Sequence, residues 1–149
     1  KYFFFEKRFS YALRLFGGTI MGDTNSRFYL DYFNGIRGFN DDKLKGKNKA
    51  VLSSELRFPF IDNLKMAFPL PLWFYSIRGS IFADVGAVWN DTNDFQPMHK
   101  DRFKDLVMGF GFGPRINLTY FVLKFDVAWH TNLIQISKPS FYLSLSPDF

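Results

Sequence analysis

The sequence predicts an all-β protein, an antiparallel transmembrane β-barrel. Three observations carry this reading. Apolar and polar side chains alternate with a period of two in six separate segments. The connections between those segments alternate between long and short. No run is apolar enough for a membrane-crossing helix: the longest charge-free stretch, Met66 to Ile77, is broken by Pro69 and Pro71, and a helical span needs about 20 residues. Strands of roughly ten residues, apolar outward and polar inward, with long loops at one end and short turns at the other, are the pattern of an outer-membrane barrel.

Composition agrees with this. Aromatic residues make up 21% of the 149 residues, yet charged residues still make up 22%, so large apolar side chains and polar ones are interleaved throughout. Cysteine is absent, which excludes a disulfide framework and thiolate metal sites. The net charge is +5, but the Lys and Arg residues form no patch of the kind that binds nucleic acid. Anionic lipid headgroups are a partner that fits a scattered basic surplus. Lys1 begins directly in a strand-like pattern with no signal peptide, as expected of a mature chain or of a piece of a longer one.

Taken in order, the first strand places Phe3, Phe5, Phe9, Tyr11, Leu13 and Leu15 on one face. Glu6, Arg8, Ser10, Ala12 and Arg14 are on the other, and Lys7 interrupts the apolar row. A long polar loop follows, at about residues 17–49. The second strand, Val51 to Ile61, sets Leu52, Leu56, Phe58 and Phe60 against Ser53, Glu55 and Arg57. A proline-rich turn, Asp62 to Pro71, leads to the third strand, about Tyr75 to Trp89. Its outer face carries Ile77, Gly79, Ile81, Ala83, Val85, Ala87 and Trp89; its inner face carries Ser76, Arg78, Ser80, Phe82, Asp84 and Gly86. After a second polar loop, Asn90 to Arg102, the fourth strand alternates Leu106, Met108, Phe110, Phe112 and Ile116 with Gly109, Gly111, Gly113, Arg115 and Asn117. The fifth opposes Phe121, Leu123, Phe125, Val127 and Trp129 to Lys124, Asp126 and His130. The last opposes Phe141, Leu143, Leu145 and Phe149 to Tyr142, Ser144, Ser146 and Asp148.

The long loop holds the candidate site. Gly35-Ile36-Arg37-Gly38-Phe39 frames an arginine between glycines, which open backbone angles closed to other residues. An arginine held at such a bend presents a planar five-donor fork suited to carboxylates. Parity places two, Glu55 and Asp84, on the inner faces of the next two strands. Those carboxylates would also suit a glycosidase-like pair, but no other residues suggest a substrate cleft. Gly109, Gly111 and Gly113 lack the spacing and following helix of a nucleotide loop and fit small lumen-facing positions beside an inserted loop. His99 and His130 stand alone, without metal-ligand spacing, and no Gly-x-Ser-x-Gly elbow occurs. No catalytic residue, metal or cofactor is expected. Trp89 and Trp129 are placed outward, as an aromatic girdle. Trp73 is assigned to the inner turn: sixteen residues at ~3.3 Å, tilted ~40°, rise about 40 Å against a ~25 Å apolar band. A soluble sandwich with one buried face is the competing fold. The glycine row and charges of the polar face favour a lumen.

Ile36-Arg37-Gly38-Phe39 resembles the Val-Arg-Gly-Phe/Tyr motif of the BamA/TamA outer-membrane assembly superfamily, the bacterial surface antigen family. Gly46 to Ala50, Glu55-Leu56-Arg57-Phe58-Pro59 and Phe82-Ala83-Asp84-Val85-Gly86-Ala87-Val88-Trp89 resemble the segments that follow in that family, in the same order. The glycine strand and a terminal strand with Phe141, Leu143, Leu145 and Phe149 fit as well. Pro147 departs from the aromatic usual near the end. The likeness spans nearly the whole chain. It implies the last six strands of a sixteen-stranded barrel in the bacterial outer membrane, and an arginine loop folded back into the lumen, where Arg37, Gly38 and Phe39 meet Glu55 and Asp84. Six strands alone would leave two open edges in lipid, so the remaining strands come from the same chain or another chain. The function implied is insertion or translocation of client outer-membrane or exported proteins by strand pairing at a lateral seam, with periplasmic accessory proteins as further partners. The alternative is a passive barrel that anchors or exports a fused passenger domain.

Overall fold

The computed structural model describes residues 2–5, 9–22, 25–31, 35–39, 44–66, 72–91, 95–118 and 121–147. They form strands β1 (Tyr2–Phe5), β2 (Phe9–Thr19), β3 (Phe28–Tyr29), β4 (Lys45–Gly46), β5 (Asn48–Met66), β6 (Leu72–Trp89), β7 (Met98–His99), β8 (Arg102–Phe103), β9 (Leu106–Asn117), β10 (Phe121–Thr131) and β11 (Ser140–Pro147). Seven strands make one antiparallel sheet in the order β1-β2-β5-β6-β9-β10-β11. The pairs β3–β4 and β7–β8 are short hairpins within the two long polar connections.

The sheet has seven strands where alternation gives six. The first predicted strand is a hairpin, with Phe5 opposite Phe9 and Phe3 opposite Tyr11. A three-residue connection between positions 5 and 9 leaves the even spacing intact, so the apolar row passes through the turn without a break in parity. Glu6, Lys7 and Arg8, where the apolar row is interrupted, lie outside the described residues.

Strand ends also differ from the expectation. Thr19 pairs with Asn48, which shortens the loop to residues 20–47. Residues 62–66 of the stretch Asp62 to Pro71 are strand, and β5 and β6 stay paired out to Met66 opposite Leu72; residues 67–71 lie outside the described residues. Trp73 therefore belongs to β6, opposite Lys65, and not to the turn. Proline signals mark this region but do not end it. Pro59 lacks a donor, and the register slips between Pro59 and Ile61 as a bulge. Beyond the bulge, residues 61–66 and 72–76 pair mainly with each other, and the hairpin outruns its neighbours.

The two faces differ as the alternation requires. Val51, Ser53, Glu55, Ser80, Phe82, Asp84, Arg115, Asp126 and Ala128 are buried on the face covered by the long loop. The opposite, outer face leaves Leu15, Phe60, Ile81, Phe112, Phe141, Leu143 and Leu145 exposed, Ile81 at 54% and Leu143 at 68%. Uncovered apolar area on this scale is unfavourable in water and favourable against hydrocarbon. A charge on this face carries a matching penalty. Ile81→Lys is expected to destabilise the membrane-inserted protein by ~2–4 kcal/mol if the residue lies near the midplane. Loss of heat-modifiability on gels at lower temperature is the readout.

Candidate loop-anchoring site

The loop between β2 and β5 returns onto the inner face. Leu30, Ile36 and Phe39 bury against Val51, Val88 and Val107, with Phe28 and Leu44 packed alongside. The backbone amides of Gly35 and Ile36 both donate to the Asp31 carbonyl. Gly35 and Gly38 adopt φ of 139° and 87°, a region that disfavours side chains. The bend puts Arg37 at its apex, pointing at the sheet. Lys49 Nζ donates to the Tyr29 carbonyl at 2.9 Å and holds the base of the same loop.

Arg37 meets both carboxylates. Its Nε and Nη2 donate to Oδ2 and Oδ1 of Asp84 at 2.7 and 2.8 Å, a two-point fork. The Arg37 amide adds a third bond to Asp84 Oδ2 at 3.1 Å. Its Nη1 donates to Glu55 Oε2 at 2.5 Å. The guanidinium lies 3.6 Å above the Phe82 ring, a cation–π contact that suits a weakly hydrated arginine. Register explains the fit. Asp84 stands between Ser53 and Gly109 on one rung of the sheet, and Phe82 between Glu55 and Gly111 on the next. Small neighbours on both rungs leave room for the guanidinium and the ring beneath it. Burial works against the Arg37 charge, but hydrogen bonding and charge from Asp84, then Glu55, outweigh it and raise its pKa above the ordinary arginine value.

The site extends further than Arg37 and its two partners. Glu55 Oε1 accepts from Arg57 Nε at 2.7 Å, and Glu55 Oε2 lies 3.5 Å from Arg115 Nη2. Arg115 Nη1 donates to Asp126 Oδ1 at 2.5 Å. Three arginines and three carboxylates thus form one chain of contacts across β5, β6, β9, β10 and the loop. Asp84 and Glu55 each have both oxygens engaged by guanidinium groups. The arrangement is built to hold a segment in place. Alternation places Arg57, Phe82, Arg115 and Asp126 inward, but it does not say which side chains meet; that depends on register, which the alternation does not carry. His130 stands alone in the sequence pattern. Its Nδ1 lies 2.7 Å from the Gly38 carbonyl, and its ring meets Phe39 edge-on at 5.4 Å, so β10 also grips the loop.

The three glycines of β9 serve different neighbours. A Cβ on Gly109 would stand 1.9 Å from the Arg37 carbonyl oxygen, so this position admits the loop backbone. At Gly111 it would meet the Val127 carbonyl and the Phe82 ring, and at Gly113 the Phe125 carbonyl. Those two let the Phe82 ring and β10 approach. Trp129 stacks on Phe110 at 5.9 Å and lies 6.0 Å from Phe112 on the outer face. Trp89 packs on Phe95 at 4.9 Å. The two tryptophans do not share a rung, because Trp129 pairs with Phe110 and Phe110 with Ala83. Phe141, Leu143 and Leu145 line the outer face of β11; Phe149 lies outside the described residues.

Removing Arg37 would leave Asp84 buried beside Glu55 with neither charge balanced as before. Arg37→Ala is expected to destabilise the docked loop by up to ~3–5 kcal/mol, the range for breaking a buried pair, with lumen water reducing it. Arg37→Lys should recover part, since a point charge cannot reproduce the fork. Replacing Arg37 and Asp84 together should cost less than the sum of the single changes. Protease sensitivity of the loop measures all three variants, and strict additivity would contradict the coupling.

The sequence profile of the Omp85 superfamily domain matches residues 2–149. Searches of curated proteins and of solved structures gave no significant match. The match covers nearly the whole chain, and its architecture fits part of an antiparallel outer-membrane β-barrel with the loop-bearing face as the lumen wall. The chain belongs to the Omp85 superfamily, whose members are outer-membrane proteins of protein insertion and transport.

Proposed function

We propose that the chain is the wall portion of a barrel that inserts or translocates other proteins by strand pairing at a lateral seam in the outer membrane. The observation that carries this reading is the docked loop. Arg37, locked to Asp84 and Glu55, fills the inner face with the protein's own chain, an arrangement suited to a regulated barrel more than to an open diffusion pore. The carboxylates act by holding the loop, without covalent chemistry. Outer-membrane lipid covers the apolar face, further barrel strands complete the wall, and the clients are other outer-membrane or exported proteins, with periplasmic accessory proteins as helpers. Trp129 and its aromatic neighbours would sit at the membrane interface.

The experiment uses cells that carry the full-length protein under depletion control. Arg37→Ala is expected to leave the protein itself in the membrane while the amounts of other assembled β-barrels or exported proteins fall several-fold. Unchanged amounts of every other outer-membrane and exported protein, with loss only of a domain fused to this chain, would overturn the assembly reading and establish a passive anchor.

A further inference from the structure

Below the ion-pair chain, toward the short turns, the inner face changes character. Arg78 on β6 stands directly opposite Arg115 on β9, and Arg115 directly opposite Lys124 on β10. Three cations therefore share one rung of adjacent strands. Like charges placed directly opposite are unfavourable, and nothing else on this rung offsets them: its other members are Pro59 and Ser144. Arg115 is buried and spends its charge on Asp126 and Glu55. Arg78 is exposed and Lys124 partly exposed, and neither pairs with a carboxylate among the described residues.

A cavity of about 580 Å³ opens beside this rung, lined by Arg14, Arg57, Lys124, Ser53, Ser144 and Ser146 among others. The Ser146 hydroxyl is buried there without a hydrogen-bond partner among the described residues. Arg14, Arg57 and Lys124 line it together with two acids, Glu55 and Asp126, and both acids already bind arginines; Arg37 also lines it and is held by Asp84 and Glu55.

We propose that this turn-side part of the inner face binds an extended acidic segment of another polypeptide. The shape of the cation set selects that ligand class. Neighbouring strands lie ~4.8 Å apart, so Arg78 and Lys124 are separated by about 10 Å along a line. A single phosphate calls for donors that converge on one point. Carboxylates on alternate residues of an extended chain recur every ~6.6–6.8 Å, which flexible Lys and Arg side chains can follow along the row. The cavity hydroxyls can bond a peptide backbone. The short turns of an outer-membrane barrel face the periplasm, so the site meets polypeptides before they enter the wall. The inference rests on the proposed handling of other proteins and adds a charge preference to it.

The test uses full-length protein in detergent micelles and two fluorescein-labelled peptides, one alternating Asp with Ser and one with Asn in place of every Asp. Fluorescence anisotropy at low ionic strength should show the Asp peptide binding about tenfold tighter, as two partly exposed ion pairs allow. Arg78→Gln with Lys124→Gln should abolish that preference and leave binding of the Asn peptide unchanged, with heat-modifiability reporting an intact barrel. If the double variant does not fold, Arg78→Gln alone, at an exposed position, should still reduce the preference. Equal binding of the two peptides would overturn the site while leaving the depletion result intact. A preference that survives the substitutions would place the site elsewhere and overturn it. Displacement of the Asp peptide by inorganic phosphate at equal charge concentration would overturn it in favour of a small-anion site.

Discussion

The fork between Arg37 and Asp84 is the contact on which the inner face is arranged. A guanidinium can be taken out of water only where hydrogen bonds and opposite charge replace its hydration. Here the replacement comes from two strands at once, Asp84 from β6 and Glu55 from β5, with Phe82 as a flat support beneath. Many surrounding choices follow from that demand. Ser53 and Gly109 flank Asp84, and a side chain at Gly109 would fill the space of the loop backbone. Ile36 and Phe39 bury beside it, so apolar packing and charge pairing position the same bend.

The two faces of this sheet answer opposite solvents. The outer face tolerates exposed Leu, Ile and Phe because hydrocarbon surrounds it. The inner face carries charges that must compensate one another. In the upper part they do, with Arg37, Arg57 and Arg115 interleaved among Asp84, Glu55 and Asp126. Toward the short turns compensation stops at Arg78 and Lys124, which flank Arg115 on one rung. On β10 the change from balanced to unbalanced charge occurs within two residues, from Asp126 to Lys124.

Period-two alternation was enough to place Glu55, Asp84, Arg115 and Asp126 on one face, because parity depends only on counting along a strand. Counting cannot detect a turn that preserves parity, which is why β1 and β2 read as one strand. It also cannot detect a bulge or a hairpin that outruns its neighbours, so the proline-rich stretch from Asp62 to Pro71 reads as a turn, and the distance from Trp89 assigns Trp73 to that turn. Contacts between strands need register, which is decided by turns and bulges. The chain from Arg37 through Glu55 to Arg115 and Asp126, and the grip of His130 on Gly38, are properties of register, and no local pattern marks them.

The sequence separation of the anchor has a temporal side. Arg37 precedes Glu55 by 18 residues and Asp84 by 47, and the Gly38 carbonyl reaches His130 across 92. Contacts between distant residues must wait until the strands that carry them are paired, since closing the intervening loops costs entropy before any contact repays it. The loop can therefore dock fully only after β5, β6, β9 and β10 have joined. Until then Asp84 lines an unfinished wall without its guanidinium, while Glu55 keeps Arg57 and Arg115, and that wall is less stable than one with the loop docked. A docked loop thus marks a wall in which β5, β6, β9 and β10 are already joined.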